Sequence, residues 1–176
     1  MVRPVLKSLA SRALRTLDRL SPPAAAEAHC DIPCGIYDPH LAQLAALTMV
    51  RMNQLIEALE QGGQNKEAWN TYMHQMTRYT TVKEEHAELL KREVRIIYGD
   101  YFKPEHVEKY PELKDLVWNL LKTASKARQN IDMQAAQDAL TQTQRFAEIF
   151  WETKGVATKR QPSNQAAGGE YVVPAN

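Results

Sequence analysis

Four stretches in which apolar residues recur every three to four positions constrain this chain more than any other feature. The first runs from about Pro39 to Glu60 and carries Leu41, Leu44, Leu47, Val50, Leu55 and Leu59. The second runs from about Lys66 to Tyr98, with Trp69, Tyr72, Met76, Tyr79, Val82, Leu89, Leu90 and Val94. The third opens at Pro111-Glu112 and carries Leu113, Leu116, Val117, Leu120, Leu121 and Ala124. The fourth comes after Asp132, with Met133, Ala136, Leu140, Phe146, Ala147, Phe150 and Trp151. A period near 3.6 gives each stretch one apolar face that must bury against another. No strand-like alternation accompanies them, so the expected fold is all-α, a four-helix bundle.

Local signals place the ends. Asp38-Pro39 offers an N-cap followed by proline in the first helical position, Asp132 offers another cap, and Gly62-Gly63 and Gly155 are stops. Thr80-Thr81-Val82 are poor helix formers and predict an interruption or bend in the second helix. Residues 99–110, rich in Gly, Asp, Lys and Pro, read as a connection. The tail from 155 to 176, with Pro162, Gly168, Gly169 and Pro174, is expected to be disordered.

At 176 residues the chain fits one domain by length, and its net charge of +1 argues against nucleic acid as a partner. No apolar run approaches the roughly 20 residues that span a bilayer, so no membrane partner is expected. The charge is unevenly placed. Residues 1–28 carry +3 and the remainder about −2. Within the leader, Leu6, Leu9, Leu14, Leu17 and Leu20 fall at helical spacing with Arg3, Lys7, Arg12, Arg15 and Arg19 largely opposite. A surface-seeking helix, an organelle transit peptide and a removable pro-segment all have this pattern, and a continuous secretory core is missing. The pro-segment is the reading taken, with the mature chain in the cytoplasm.

Both cysteines lie in one nine-residue stretch, His29-Cys30-Asp31-Ile32-Pro33-Cys34-Gly35-Ile36-Tyr37. Cysteines four positions apart with a histidine beside the first suit a metal site or a disulfide, and spacing does not choose. Just upstream, Ala24-Ala25-Ala26-Glu27-Ala28 has the small-residue pattern of a processing site. A processing peptidase cutting there would make His29 the first residue. Its α-amine, the Cys30 amide nitrogen and thiolate, and the Cys34 thiolate would then form a plane, a Ni(II) or Cu(II) geometry, with the His29 imidazole in axial reach. By contrast His40, His74 and His106 have no metal-ligand spacing, the methionines suit core packing, and Lys83-Glu84-Glu85 reads as a solvated helix face.

The stretch from His29 to Pro39 resembles the N-terminal nickel hook of the nickel-containing superoxide dismutases. Asp100-Tyr101-Phe102-Lys103-Pro104, Glu108-Lys109-Tyr110-Pro111-Glu112-Leu113 and Ile149-Phe150-Trp151-Glu152-Thr153-Lys154 resemble that family too, over residues 29–154 in matching order. The resemblance implies a nickel ion held by His29, Cys30 and Cys34, and dismutation of superoxide to dioxygen and hydrogen peroxide by cycling between Ni(II) and Ni(III). It further implies that Tyr37 and Tyr101 line the approach, that Asp31 and Asp100 support the hook and its surroundings, that Lys103 attracts the anionic substrate, and that the bundles assemble as a homohexamer. The rival reading is a non-catalytic nickel or copper binding or delivery module with the same ligands. A third is a bundle stapled by a Cys30–Cys34 disulfide. One departure stands out: where some members set a glutamate and a neighbouring subunit's arginine against the axial imidazole, this chain has Ala45 and His86. His86 from a neighbouring chain, or a water it holds, is one reading of the replacement, and a plain helix residue with no contact to the site is the other.

Overall fold

In the computed structural model, residues 35–63 and 65–175 are described. Among them are five α-helices: α1 His40–Glu57, α2 Lys66–Ile96, α3 Pro104–Lys109, α4 Leu113–Gln129 and α5 Met133–Thr153. A π-helical turn, Ile97–Tyr101, continues α2, and two strands, β1 Thr158–Pro162 and β2 Glu170–Pro174, come after α5. No helix among the described residues is long and apolar enough to cross a membrane.

The four long helices are those the periodicity predicts, and their apolar faces meet. α1 packs against α2 and α5, and α4 packs against α5 and α2. Alanines make the close approaches possible. Ala42, Ala45 and Ala46 on α1 and Ala135, Ala136, Ala139 and Ala147 on α5 are all buried, so the backbones approach without large side chains between them. Met49, Leu90, Leu120, Phe146, Ile149 and Phe150 fill the remaining space. Burying each such side chain contributes about 1.5–3 kcal/mol, and truncating Phe146 to alanine would cost about 3–5 kcal/mol.

Caps agree with the sequence signals to within a residue or two. Asn65 Oδ1 accepts the Ala68 N–H at 2.7 Å to start α2, and Asp132 Oδ1 accepts the Ala135 N–H at 2.9 Å to start α5. At α1 the expected cap is displaced by one: Pro39 holds the N-cap position, and Asp38 Oδ1 instead accepts the N–H of His40 at 2.7 Å. Behind α5 the Val156 N–H reaches Trp151 O at 3.0 Å and the Gly155 N–H reaches Glu152 O at 3.1 Å, the paired bonds of a Schellman stop.

Three expectations are corrected. α2 runs through Thr80-Thr81-Val82 as unbroken α-helix, because a propensity deficit of roughly 0.5 kcal/mol per residue is small beside the packing of Lys83, Ala87 and Leu90. Lys83 does not belong to a solvated face: it is 2% exposed, and its Nζ donates to the Asn130 carbonyl at 2.5 Å, at the C-terminal end of α4. Burial lowers its pKa from the ordinary lysine value. Residues 155–175 are ordered, so the fold is mostly helical rather than all-α.

The ordered tail is an antiparallel hairpin with Thr158 opposite Pro174 and Arg160 opposite Val172. Tyr171 and Val172, neighbours on β2, are both buried, and Tyr171 joins the apolar core. Three glutamine side chains from the helices bind the tail's backbone. Gln43, itself fully buried, donates to Val172 O at 3.0 Å and accepts the Val172 N–H at 2.7 Å. Gln54 donates to Ala167 O at 3.0 Å, and Gln144 to Glu170 O at 2.8 Å. In the connecting turn Gly169 has φ +74°, a conformation that favours glycine, and a Cβ there would crowd Leu47 Cδ1 at 3.1 Å.

Candidate functional site

Of the expected site residues, His29, Cys30, Asp31 and Cys34 lie outside the described residues, as does the leader from 1 to 28. Among the described residues no group of three or more His, Cys, Asp or Glu side chains is placed to hold a metal ion. What the structure does describe is the ground just behind the hook. Gly35 has φ +67°, a left-handed backbone conformation that glycine adopts without strain. Ile36 stands out at 72% exposure, and Tyr37 turns inward and is buried.

Tyr37 meets Tyr101. Their ring centroids are 5.8 Å apart at an angle of 51°, although 64 positions separate them in the sequence. Tyr101 reaches this place through the π turn. The Phe102 N–H bonds to Ile97 O at 3.3 Å, a five-residue reach that admits one more residue per turn than α-helix and rotates the segment beyond it. Tyr101 then sits against Phe150, at 4.7 Å between centroids, and edge-on to Phe102 at 5.3 Å. On its other side His106 stacks at 5.6 Å and 20°. The Lys154 ammonium lies 5.3 Å from the Tyr101 ring centre and 5.0 Å from that of Phe150, within cation–π range. The phenolic oxygen is 2.8 Å from Thr153 Oγ1.

Lys103 is exposed, two residues beyond Tyr101, and forms the N-cap of α3. Its backbone N–H donates to His106 Nδ1 at 3.1 Å. Asp100 is also exposed on the π turn. Ala45 is fully buried in the core of its own chain, so no polar group stands at that place on α1. His86 is half-buried on α2, and its Nδ1 lies 2.8 Å from the Val82 carbonyl; since a carbonyl only accepts, the proton of a neutral His86 is on Nδ1.

The structure brings Tyr37 and Tyr101, the two tyrosines that the resemblance assigns to the approach, into ring contact. Sequence reasoning missed His106, Phe150, Thr153 and Lys154 as their neighbours. The last three lie in the Ile149–Lys154 stretch that carries the resemblance, but no spacing rule connects α5 with the π turn. His106, at position i+3 from Lys103 with proline between, could have been suspected as a capping side chain.

Comparison with known proteins finds relatives in both sequence and fold. Residues 24–154 match the family described as nickel-containing superoxide dismutase. A superoxide dismutase [Ni] of Streptomyces coelicolor is 43% identical over 139 residues, covering 78% of this chain and 98% of the relative. That of Streptomyces seoulensis is 40% identical over the same shares. A native nickel superoxide dismutase solved at 1.30 Å shares 40% identity with a TM-score of 0.60, covering 72% of this chain and 99% of its own. Another such enzyme, with nickel ligation corresponding to the oxidised state, gives a TM-score of 0.62 at 37% identity and the same coverage. The match ends where α5 ends, and β1 and β2 lie beyond it. On sequence and fold together, the chain belongs to the nickel-containing superoxide dismutase family.

Proposed function

We infer that this chain is a nickel-dependent superoxide dismutase, built as a four-helix bundle that carries an N-terminal nickel hook. The observation that carries the reading is the packing of Tyr37, the last residue of the hook stretch, onto Tyr101 of the π turn at 5.8 Å, within a span matched by the family from 24 to 154. That contact anchors the base of the hook to a wall of aromatic rings.

The donor set fits nickel: two thiolates, an imidazole and, after cleavage, an amine and an amide nitrogen lie within His29–Cys34. In this reading His29, Cys30 and Cys34 hold the ion, and residues 1–28 are a pro-segment whose removal creates the amine. When bound, nickel supplies a one-electron couple between Ni(II) and Ni(III): one superoxide gives up an electron and leaves as dioxygen, and a second takes that electron and two protons and leaves as hydrogen peroxide. The protein's own residues do the rest. Tyr37 and Tyr101 close the base of the hook with apolar surface, Asp31 supports the hook, Asp100 supports its surroundings, and exposed Lys103 draws in the anion. With Ala45 buried and apolar, α1 offers no carboxylate at that place to orient the His29 imidazole that would hold nickel, and His86 of a neighbouring copy in a homohexamer is the proposed source of its second partner. Thiols kept available for metal fit the cytoplasm, the proposed location.

The test is direct. Superoxide decay is followed after nickel loading of protein whose N-terminus is confirmed as His29. Catalytic decay with nickel and none without it is expected. Bound nickel without catalysis would identify a metal-delivery module instead, and native protein free of metal with a Cys30–Cys34 disulfide would identify a structural staple.

A further inference from the structure

We propose that His106 is a positioning residue that holds Lys103 and Tyr101 in fixed relation at the mouth of the site. Two features of one imidazole carry the proposal. Its Nδ1 accepts the Lys103 backbone N–H at 3.1 Å, and its ring face lies on Tyr101 at 5.6 Å and 20°. The edge of the same ring meets Phe102, the residue between them, at 5.8 Å and 86°.

Lys103 is held by His106 from both sides of its backbone. The His106 N–H donates to Lys103 O at 3.0 Å while the His106 ring accepts the Lys103 N–H, so the two residues close a reciprocal cap over the start of α3. Glutamate or glutamine ordinarily fills this role three residues into a helix. Pro104 comes immediately after and confines Lys103 to the extended conformation observed, φ −115° and ψ 167°. An N–H cannot accept a proton, so His106 Nδ1 is unprotonated and the ring proton sits on Nε2. A Glu or Gln could cap Lys103 but could not stack, and a Phe could stack but could not cap. Only an aromatic ring with an acceptor at the δ position links the backbone of the substrate-attracting lysine to the tyrosine wall.

The assignment of Lys103 to substrate attraction rests on the superoxide dismutase reading; the linkage through His106 does not, and the experiment separates them. In ¹⁵N-imidazole NMR of the full-length chain, with His106→Asn used to assign the signal, His106 should appear as the Nε2–H form with Nδ1 as acceptor. A protonated Nδ1 overturns the linkage whatever the enzyme does. On nickel-loaded, processed enzyme, the superoxide rate is then measured against ionic strength for wild type, Lys103→Ala, His106→Phe and His106→Asn. His106→Phe keeps the ring and loses the acceptor. It should lose about threefold or more at low salt, with its salt dependence flattened towards that of Lys103→Ala. His106→Asn keeps an acceptor at the δ position but not the ring, so it should fall between His106→Phe and wild type; full recovery of the wild-type salt dependence would show that the cap alone suffices and would overturn the link to Tyr101. Far-UV circular dichroism and the melting temperature establish that each variant is folded, and wild-type NMR stands without any variant. A folded His106→Phe with wild-type rate and salt dependence overturns the proposal. If wild type binds nickel but shows no dismutation, the functional reading fails and the NMR result alone decides the linkage.

Discussion

Tyr101 donates its phenolic proton to Thr153. The direction comes from proton counting: the Thr153 hydroxyl has one proton and gives it to the Phe150 carbonyl at 2.6 Å, so across the 2.8 Å contact Tyr101 is the donor. The O–H of Tyr101 is thereby turned towards α5. Replacing Thr153 with valine keeps the shape and removes the acceptor. We expect a loss of about 1 kcal/mol in stability and a slower superoxide reaction at full nickel occupancy, since Tyr101 loses the bond that fixes its ring. Thermal unfolding and rate measurement on the same preparation check both.

Gln43→Leu tests the attachment of the hairpin. The leucine has similar volume but leaves the Val172 N–H and C=O without the partners they have at 2.7 and 3.0 Å. We expect destabilisation by about 2–4 kcal/mol, with amide exchange fastest in residues 170–174. Slow exchange there in the variant would show that strand pairing and the packing of Tyr171 hold the hairpin unaided.

Lys83 makes stability depend on pH. Desolvation by burial lowers its folded pKa below the ordinary 10.5, the nearby Glu84 carboxylate opposing this more weakly. In the window between the lowered value and 10.5 the unfolded chain holds the proton more tightly, so stability rises with pH through that window and the penalty is constant below it. Tyr171 works the other way: burial raises its pKa above 10.0, so above pH 10.0 the unfolded chain sheds that proton first and stability falls. Chemical denaturation just below pH 10.0 should therefore show a rise that Lys83→Met abolishes. An identical slope in the two proteins would remove Lys83 as its source.

Cys30→Ser and Cys34→Ser should each abolish dismutation, because a hydroxyl is a harder donor than a thiolate and stabilises oxidised nickel less well. The helical circular dichroism signal should be unchanged, since among the described residues the core centred on Phe146, Phe150 and Leu120 is built by the faces of the four long helices. Residual dismutation near the wild-type rate in either variant would show that the thiolates do not set the redox chemistry.

Processing is tested by the amine. Protein retaining residues 1–28 should be inactive with nickel present, and active protein should begin at His29. Recovery of Met1 by N-terminal sequencing of fully active material would show that the amine is not a ligand.

The parts of this fold that could be read from sequence are those where local chemistry and tertiary packing agree. Leu113, Val117, Leu120 and Ala124 fall on one face by spacing and are buried for the same reason, and Asp132 caps α5 as its side chain allows. Where they disagree, reading failed. Lys83 sits in a run of charges that reads as solvated, yet its aliphatic stem fills the core and its ammonium finds a helix-end carbonyl 47 residues away. The hairpin was missed because Pro162, Gly168, Gly169 and Pro174 look like disorder. Tyr171-Val172-Val173 after a Gly-Gly turn was the signal at hand, but glutamines from two helices, Gln43 and Gln54 on one face of α1 and Gln144 on α5, complete it. Within the site, resemblance supplied Tyr37, Tyr101 and Lys103. The extra residue of the π turn, which aims Tyr101, has no sequence signature.

The hairpin also imposes an order of events on the making of this protein. α1 is among the earliest parts of the folded domain to be synthesised, and the side-chain amides of Gln43 and Gln54 that stand on it donate to the carbonyls of Val172 and Ala167, far later in the chain. A nascent chain can stack α1 on α2 before then, but Gln43 stays a hydrated amide without its protein partners until β2 has left the ribosome. Closure of the helix nearest the hook is thus a report that translation has run past α5. A chain cut short at the family boundary would carry every residue of the hook and the aromatic wall, and still display an open helix face where a complete one shows a sealed strand.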